Sequence, residues 1–149
     1  MENPYMRAAL NTALLCEQDG EVPVGAVIVR DGEIIATGRN RRETGKNALA
    51  HAEIEAIDKA CRLLGGWRLQ GCDLYVTLEP CPMCAGAIIN ARIRTVYFGA
   101  YDNKAGSFGS VADFTTLPYN HKPEIIGGIM ENECAALLSS FFKKLREKK

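Results

Sequence analysis

Past an opening hairpin, strand-like and helix-like patterns alternate along this chain, and that alternation restricts the fold more than any other feature. Val24-Gly25-Ala26-Val27-Ile28-Val29 is a β-branched run, Asp31-Gly32 follows, and Ile34-Ile35-Ala36-Thr37-Gly38 comes next. An Asp-Gly between two such runs signals a hairpin, because both residues tolerate the positive φ of a tight turn. Ala50 to Leu64 carries a helical pattern that stops at Gly65-Gly66. Leu74 to Leu78 reads as a strand, and Pro82 to Ala91 as a helix with proline in its first turn. Thr95 to Gly99 is another strand, Glu124 to Ile126 a last one, and Ile129 to Lys148 a closing helix. An opening helix over residues 4 to 18 follows from the spacing of Met6, Ala9, Leu10, Ala13 and Leu14, and Asp19-Gly20 breaks it. Strands alternating with helices predict a three-layer α/β domain with a mixed sheet.

The 149 residues show no internal repeat, low-complexity tract or linker, so one domain over 1–149 is expected. Apolar residues make up 47% of the chain, enough for a core and too many for wholesale disorder. Lys+Arg 18 balances Asp+Glu 18. Overall charge therefore does not point to nucleic acid, although a local basic patch can serve that purpose. No apolar run approaches the roughly 20 residues of a membrane helix, and the start shows no secretory signal. Six cysteines, two of them in a C-x-x-C spacing, fit a reducing compartment with metal-bound or buried thiols. The expectation is a cytoplasmic protein with no membrane contact. Residues 100 to 122, rich in Gly, Ser, Asn and Asp, read as a long loop, and a loop of that length in a small domain is usually functional.

The chemistry rests on His51-Ala52-Glu53 and Pro80-Cys81-Pro82-Met83-Cys84. Cys81 and Cys84 sit three apart, so on a first helical turn they face the same way. A helix N-terminus favours thiolates. Two thiolates and the His51 imidazole form a soft N/S set that suits zinc and leaves a fourth position open for water. Residues i and i+2 lie about 200° apart within a helix. At a helix start, however, His51 can turn toward a metal while Glu53 lies beside its water, as general base and then general acid. A Cys-x-x-Cys after a strand also serves as a structural zinc site or redox pair, and Cys72, at the foot of the same strand, is the candidate fourth ligand that would close the site. His-x-Glu at the head of one helix and Cys-x-x-Cys at the head of the next favour the open, catalytic site. Cys16, Cys61 and Cys134 fall within helical patterns as small core residues, and His121 reads as a hydrogen-bonding loop histidine.

His51-x-Glu53 with Pro80-Cys81-x-x-Cys84 resembles the zinc nucleobase deaminase signature. The likeness is closer still to the bacterial tRNA-specific adenosine deaminases. It is carried by Val22-Pro23-Val24-Gly25-Ala26-Val27, Asn40, Ala50 to Ile54, Tyr75 to Ala87, Gly99-Ala100-Tyr101-Asp102, Asn120-His121 and Glu133 to Phe142. It implies a cytidine-deaminase-like α/β/α domain with a five-stranded mixed sheet, a homodimer, and one zinc per subunit held by His51, Cys81 and Cys84. It implies conversion of the wobble adenosine of a tRNA anticodon to inosine, with Glu53 shuttling protons. Asn40 would hold the target nucleotide, Val24 would line the base pocket and the Ala52 N–H would contact the base. The loop from Asp102 to Ser110 is placed to meet the anticodon stem-loop. Asn90-Ala91 departs from the His-Ser of many relatives. Arg39, Arg41, Arg42 and Lys46 form one possible phosphate-contacting group, and Lys143, Lys144, Arg146, Lys148 and Lys149 another, or a solvated helix end.

Two other readings compete. A deaminase of a free base or nucleoside, of guanine or cytosine type, uses the same zinc and glutamate, and Lys59 to Gly65 is similar to guanine deaminases. A zinc-stabilised RNA-binding module without catalysis is a third, and the presence of Glu53 weighs against it.

Overall fold

The computed structural model describes residues 1–148; Lys149, the last of the C-terminal bases, lies outside them. Helix α1 (Pro4–Leu14) opens the chain. The Asn3 side chain accepts hydrogen bonds from the Tyr5 and Met6 N–H groups, both at 3.0 Å, and Pro4 fills the first turn, where no N–H is needed. The α-helical part is shorter than its pattern predicts. From Leu15 to Asp19 the chain tightens into a 3₁₀ turn that ends on Gly20 at φ 70°.

Strands β1 (Gly25–Arg30) and β2 (Glu33–Arg39) form the expected hairpin. Asp31 and Gly32 both have positive φ, 51° and 79°, as a two-residue turn of matching twist requires. Helix α2 (Ala52–Leu64) ends on Gly65 at φ 71°. Strand β3 (Cys72–Leu78), helix α3 (Pro82–Asn90), strand β4 (Thr95–Ala100), strand β5 (Glu124–Ile126) and helix α4 (Glu131–Glu147) follow. The long segment between β4 and β5 contains one short 3₁₀ turn, Phe114–Thr116.

The five strands lie in the order β2-β1-β3-β4-β5. β1 is antiparallel to both neighbours, whereas β3, β4 and β5 run parallel. Central β3 is almost continuously buried, as a strand covered on both faces must be. One face buries Ala26, Ile28, Leu74, Val76 and Val96 beneath α2 and α3, through Ala56, Ala60 and Ile88. The other buries Val27, Val29 and Tyr75 beneath α1 and α4, through Met6, Ala9, Leu10 and Cys134. The architecture is therefore three-layer α/β/α with a mixed sheet of five strands, as expected.

Two glycines set how close the helices come. A Cβ on Gly25 would collide with the α1 backbone at Ala9 and Ala13, and one on Gly38 with the α2 backbone at Ala52 and Ala56. The absence of a side chain at Gly38 seats the first turn of α2 directly on β2. No helix among the described residues is long and apolar enough to cross a membrane.

Candidate metal centre and active-site cavity

The start of α2 and the start of α3 meet at one end of the sheet. His51 is the N-cap of α2 and Cys81 the N-cap of α3, both with extended backbone, and neither side chain caps its own helix. The imidazole and the thiol are thereby free to turn toward each other. Cys84 comes up from the third helical position of α3. His51 Nδ1 lies 3.6 Å from Cys81 Sγ and 3.6 Å from Cys84 Sγ. A tetrahedral zinc about 2.3 Å from sulfur and about 2.0–2.1 Å from nitrogen has S···N edges of about 3.6 Å. The donor set and its spacing fit that ion.

The electrostatics agree. The Cys81 thiol is held down to about 4, first by the hydrogen bond from the Cys84 thiol, against the effect of burial, and then by His51. Cys84 is pushed far up by giving that hydrogen bond and by burial. His51 is raised, chiefly by its contact with Cys81. The metal-free pair of sulfurs therefore shares one proton, which an incoming cation must displace.

Cys72, the candidate fourth ligand, is not near this cluster. It begins β3, whose six steps to Leu78 span about 20 Å, and it is fully buried in the core. Among the described residues, His51, Cys81 and Cys84 are the one group placed so that it could hold a metal ion. Three donors leave a tetrahedral site open.

A cavity of about 200 Å³ adjoins the cluster. It is small for a drug-sized ligand and suited to a single compact ring system. His51, Ala52, Glu53, Cys81, Val24, Asn40 and Asp102 all line it; Cys84 sits behind them, fully buried. Val22, Arg42, Leu78, Glu79 and Ala105 complete the wall. The cavity lies outside the ends of the parallel strands, where open α/β sheets hold their ligands. Glu53 is 4% exposed, and burial pushes its carboxyl up to about 7. A carboxyl that changes charge near neutrality both accepts and returns a proton readily.

Two buried carboxylates that sequence reading did not single out organise the rim. Glu21 accepts hydrogen bonds from the Glu43 and Thr44 N–H groups and the Thr44 hydroxyl, at 2.6–3.1 Å. Burial alone would raise its pKa, but those donors together hold it below the usual carboxylate range. Glu79 likewise accepts hydrogen bonds from the loop after β4, at the Asp102, Phe108 and Ser110 N–H groups. Asp102, whose Oδ1 accepts from the Lys104 and Ala105 N–H groups, starts that loop. The side-chain oxygen of Asn40 accepts from the Arg42 N–H, and its amide donates to Val22 O.

The basic group near Asn40 divides. Arg39 pairs with Asp19 at 3.4 Å and Arg41 with Glu55 at 2.7 Å, while Arg42 is exposed at the cavity wall. Cys16 and Cys134 are buried, as their helical positions suggested, whereas Cys61 is only partly buried and donates to Trp67 O. His121 hydrogen-bonds Ile93 O at 2.6 Å.

Comparison with known proteins gives a consistent result. Residues 1–100 match the family described as the cytidine and deoxycytidylate deaminase zinc-binding region. The tRNA-specific adenosine deaminase of Bacillus subtilis (strain 168) is 51% identical over 146 residues, covering 97% of this chain and 91% of that protein. A solved structure from work on A-to-I editing by tRNA:A34 deaminases superposes with a TM-score of 0.89 at 46% identity, covering 92% of this chain and all of the other. A guanine deaminase structure from Nitrosomonas europaea superposes with a TM-score of 0.76 at 26% identity, covering 95% of this chain and 85% of that one.

Proposed function

The chain belongs to the cytidine and deoxycytidylate deaminase family, and within it to the tRNA-specific adenosine deaminases, and we propose from that premise how its cavity converts the wobble adenosine of a tRNA anticodon to inosine. The reaction consumes water and releases ammonia.

Zinc, when held by His51 Nδ1 and the sulfurs of Cys81 and Cys84, supplies a Lewis acid that lowers the pKa of water at the open corner. Glu53 does the proton work. It takes one proton from the attacking water and delivers it to adenine N1 as oxygen bonds to C6. It then takes the hydroxyl proton and gives it to the amino group, so the C6–N bond breaks, ammonia leaves and the carbonyl of inosine forms. One carboxyl acts as base and then acid, a task that suits a group titrating near 7. The Ala52 N–H contacts the base, Val24 lies along it, and Asn40 and Asp102 hold the nucleotide. The target base leaves the anticodon stack at a cost of a few kcal/mol, which a loop meets more easily than a duplex.

The observation that carries the reading is Glu53, a buried carboxyl sharing one cavity wall with His51 and Cys81. Incubation of the zinc-loaded protein with an anticodon stem-loop carrying a wobble adenosine, read by sequencing, should yield inosine. No inosine, alongside ammonia release from guanine, would establish the free-base alternative instead.

We place the enzyme in the cytoplasm with its substrate, a setting supported by six free thiols, two of which must stay reduced to bind metal. A single deaminase domain and a homodimer complete the proposal, the latter on the family likeness; light scattering coupled to size exclusion tests it, and a monomer at micromolar concentration would refute it.

A further inference from the structure

Glu79 takes no part in the proton transfers above, yet it is one of the few buried charged groups, at 2% exposure. It follows β3 directly and stands two residues before Cys81. Its Oε1 accepts from the Asp102 N–H at 3.1 Å and from the Ser110 hydroxyl. Its Oε2 accepts from the Phe108 N–H and the Ser110 N–H, both at 3.1 Å. Four donors from one loop thus converge on a single carboxylate, which accepts through both oxygens and donates through neither.

The loop is shaped to receive it. A Cβ on Gly106 would collide with the Glu79 carboxylate and the Asp102 carbonyl, so the closed approach requires glycine there. The Ser107 N–H donates to Pro80 O at 2.9 Å, a fifth tie to the same stretch. Ordering a long irregular loop costs conformational entropy at every residue, and these charged hydrogen bonds offset it.

The location gives the tie a function beyond stability. Glu79, Asp102 and Ala105 line the same cavity as His51 and Cys81. Resting on the reading of the cavity as an adenosine site, we propose that Glu79 is a positioning residue: it fixes the Asp102–Ser110 wall against the strand end that carries Cys81, so that the bound nucleotide is held in register with the metal centre. It acts through the loop, since both its oxygens are already engaged.

Glu79→Gln tests this in the zinc-loaded full chain. Whichever way the amide turns, an NH₂ faces two N–H or O–H donors. Steady-state deamination of the anticodon stem-loop should show KM raised about tenfold or more while kcat falls less than about threefold, with zinc content unchanged. Amide exchange at Phe108 and Ser110 should speed up by a similar factor. An unchanged KM, or a loss confined to kcat, overturns the proposal. Should the glutamine variant not fold, Ser110→Ala decides by the same split: it removes one of the four donors and should raise KM about threefold, and a parental KM refutes the tie. A parent that makes no inosine sinks the adenosine reading instead, while parental amide exchange at Phe108 in Glu79→Gln sinks this one independently.

Discussion

His51 and Cys81 occupy the same station on two different helices: each is the N-cap residue, and His51 Nδ1 lies 3.6 Å from Cys81 Sγ. Ser, Thr, Asp or Asn at such a position typically contributes about 1 kcal/mol by capping. Both helices forgo that contribution. In return, the positive ends of two helix dipoles converge on the place where a thiolate must form.

Removal of either sulfur should therefore abolish metal binding. Cys81→Ala and Cys84→Ala should each drop from stoichiometric zinc to near none by elemental analysis. A chelator should lower the melting temperature of the parent and leave both variants unmoved. Cys84, with no exposed surface, should be the more destabilising loss, because alanine there also leaves a void. Full zinc content in both variants would refute the ligand set.

Glu53→Gln should keep the fold and the zinc and lose turnover by about 10²–10⁴-fold on the anticodon stem-loop. The amide fills the same volume but can neither take nor return the proton. Turnover at the parental rate would remove Glu53 from the mechanism.

The metal-free protein should show a distinct acid–base signature of Glu53. Its folded pKa of about 7 lies above the ordinary carboxyl value, so between roughly 4.5 and 7 the native state binds more protons than the unfolded chain. The contribution is fully present below that window and is lost as pH rises through it, by up to about 3 kcal/mol. Cys81, held down to about 4, runs the opposite way. The difference in denaturant stability between parent and Glu53→Gln isolates the glutamate. That difference should grow in the variant's favour from pH 5 to pH 8; a difference independent of pH would contradict the buried, raised carboxyl.

Gly38→Ala and Gly25→Ala should separate site geometry from general packing. Each forces a helix backbone away from the sheet and should cost about 2–4 kcal/mol. Gly38 faces the first turn of α2 at Ala52, Glu55 and Ala56, the turn that carries Glu53 and follows His51, so its variant should also bind zinc more weakly. Gly25 faces α1, away from the cavity, so folded Gly25→Ala should retain parental zinc affinity. Equal zinc affinities in both would show that α2 placement does not set the ligand geometry.

The individual strands, the hairpin and the helices were legible because each depends on neighbours in sequence. Asp31-Gly32 turns, Asn3-Pro4 starts a helix and Gly65 ends one through local backbone preference. The ends were less legible: the 3₁₀ turn at Leu15–Asp19 and the start of α4 at Glu131, after Met130 at φ 53°, depend on how the chain exits its packing. Cys72 illustrates the same limit. Sequence proximity to the Cys-x-x-Cys made it a candidate ligand, and the length of a strand carried it to the far end of the core.

What the sequence determined by itself is the metal chemistry: two thiols three residues apart and one imidazole with a carboxyl two residues on are short-range facts, and zinc's affinity for thiolate and imidazole ligands interprets them. Only the tertiary structure decided which groups guard the cavity. Glu79 reaches residues 23 to 31 positions away, Glu21 reaches residues 22 and 23 positions away, and Arg41 meets Glu55, 14 positions away. A buried carboxylate's role is set by the donors brought to it, and no local pattern records donors that arrive from elsewhere in the chain.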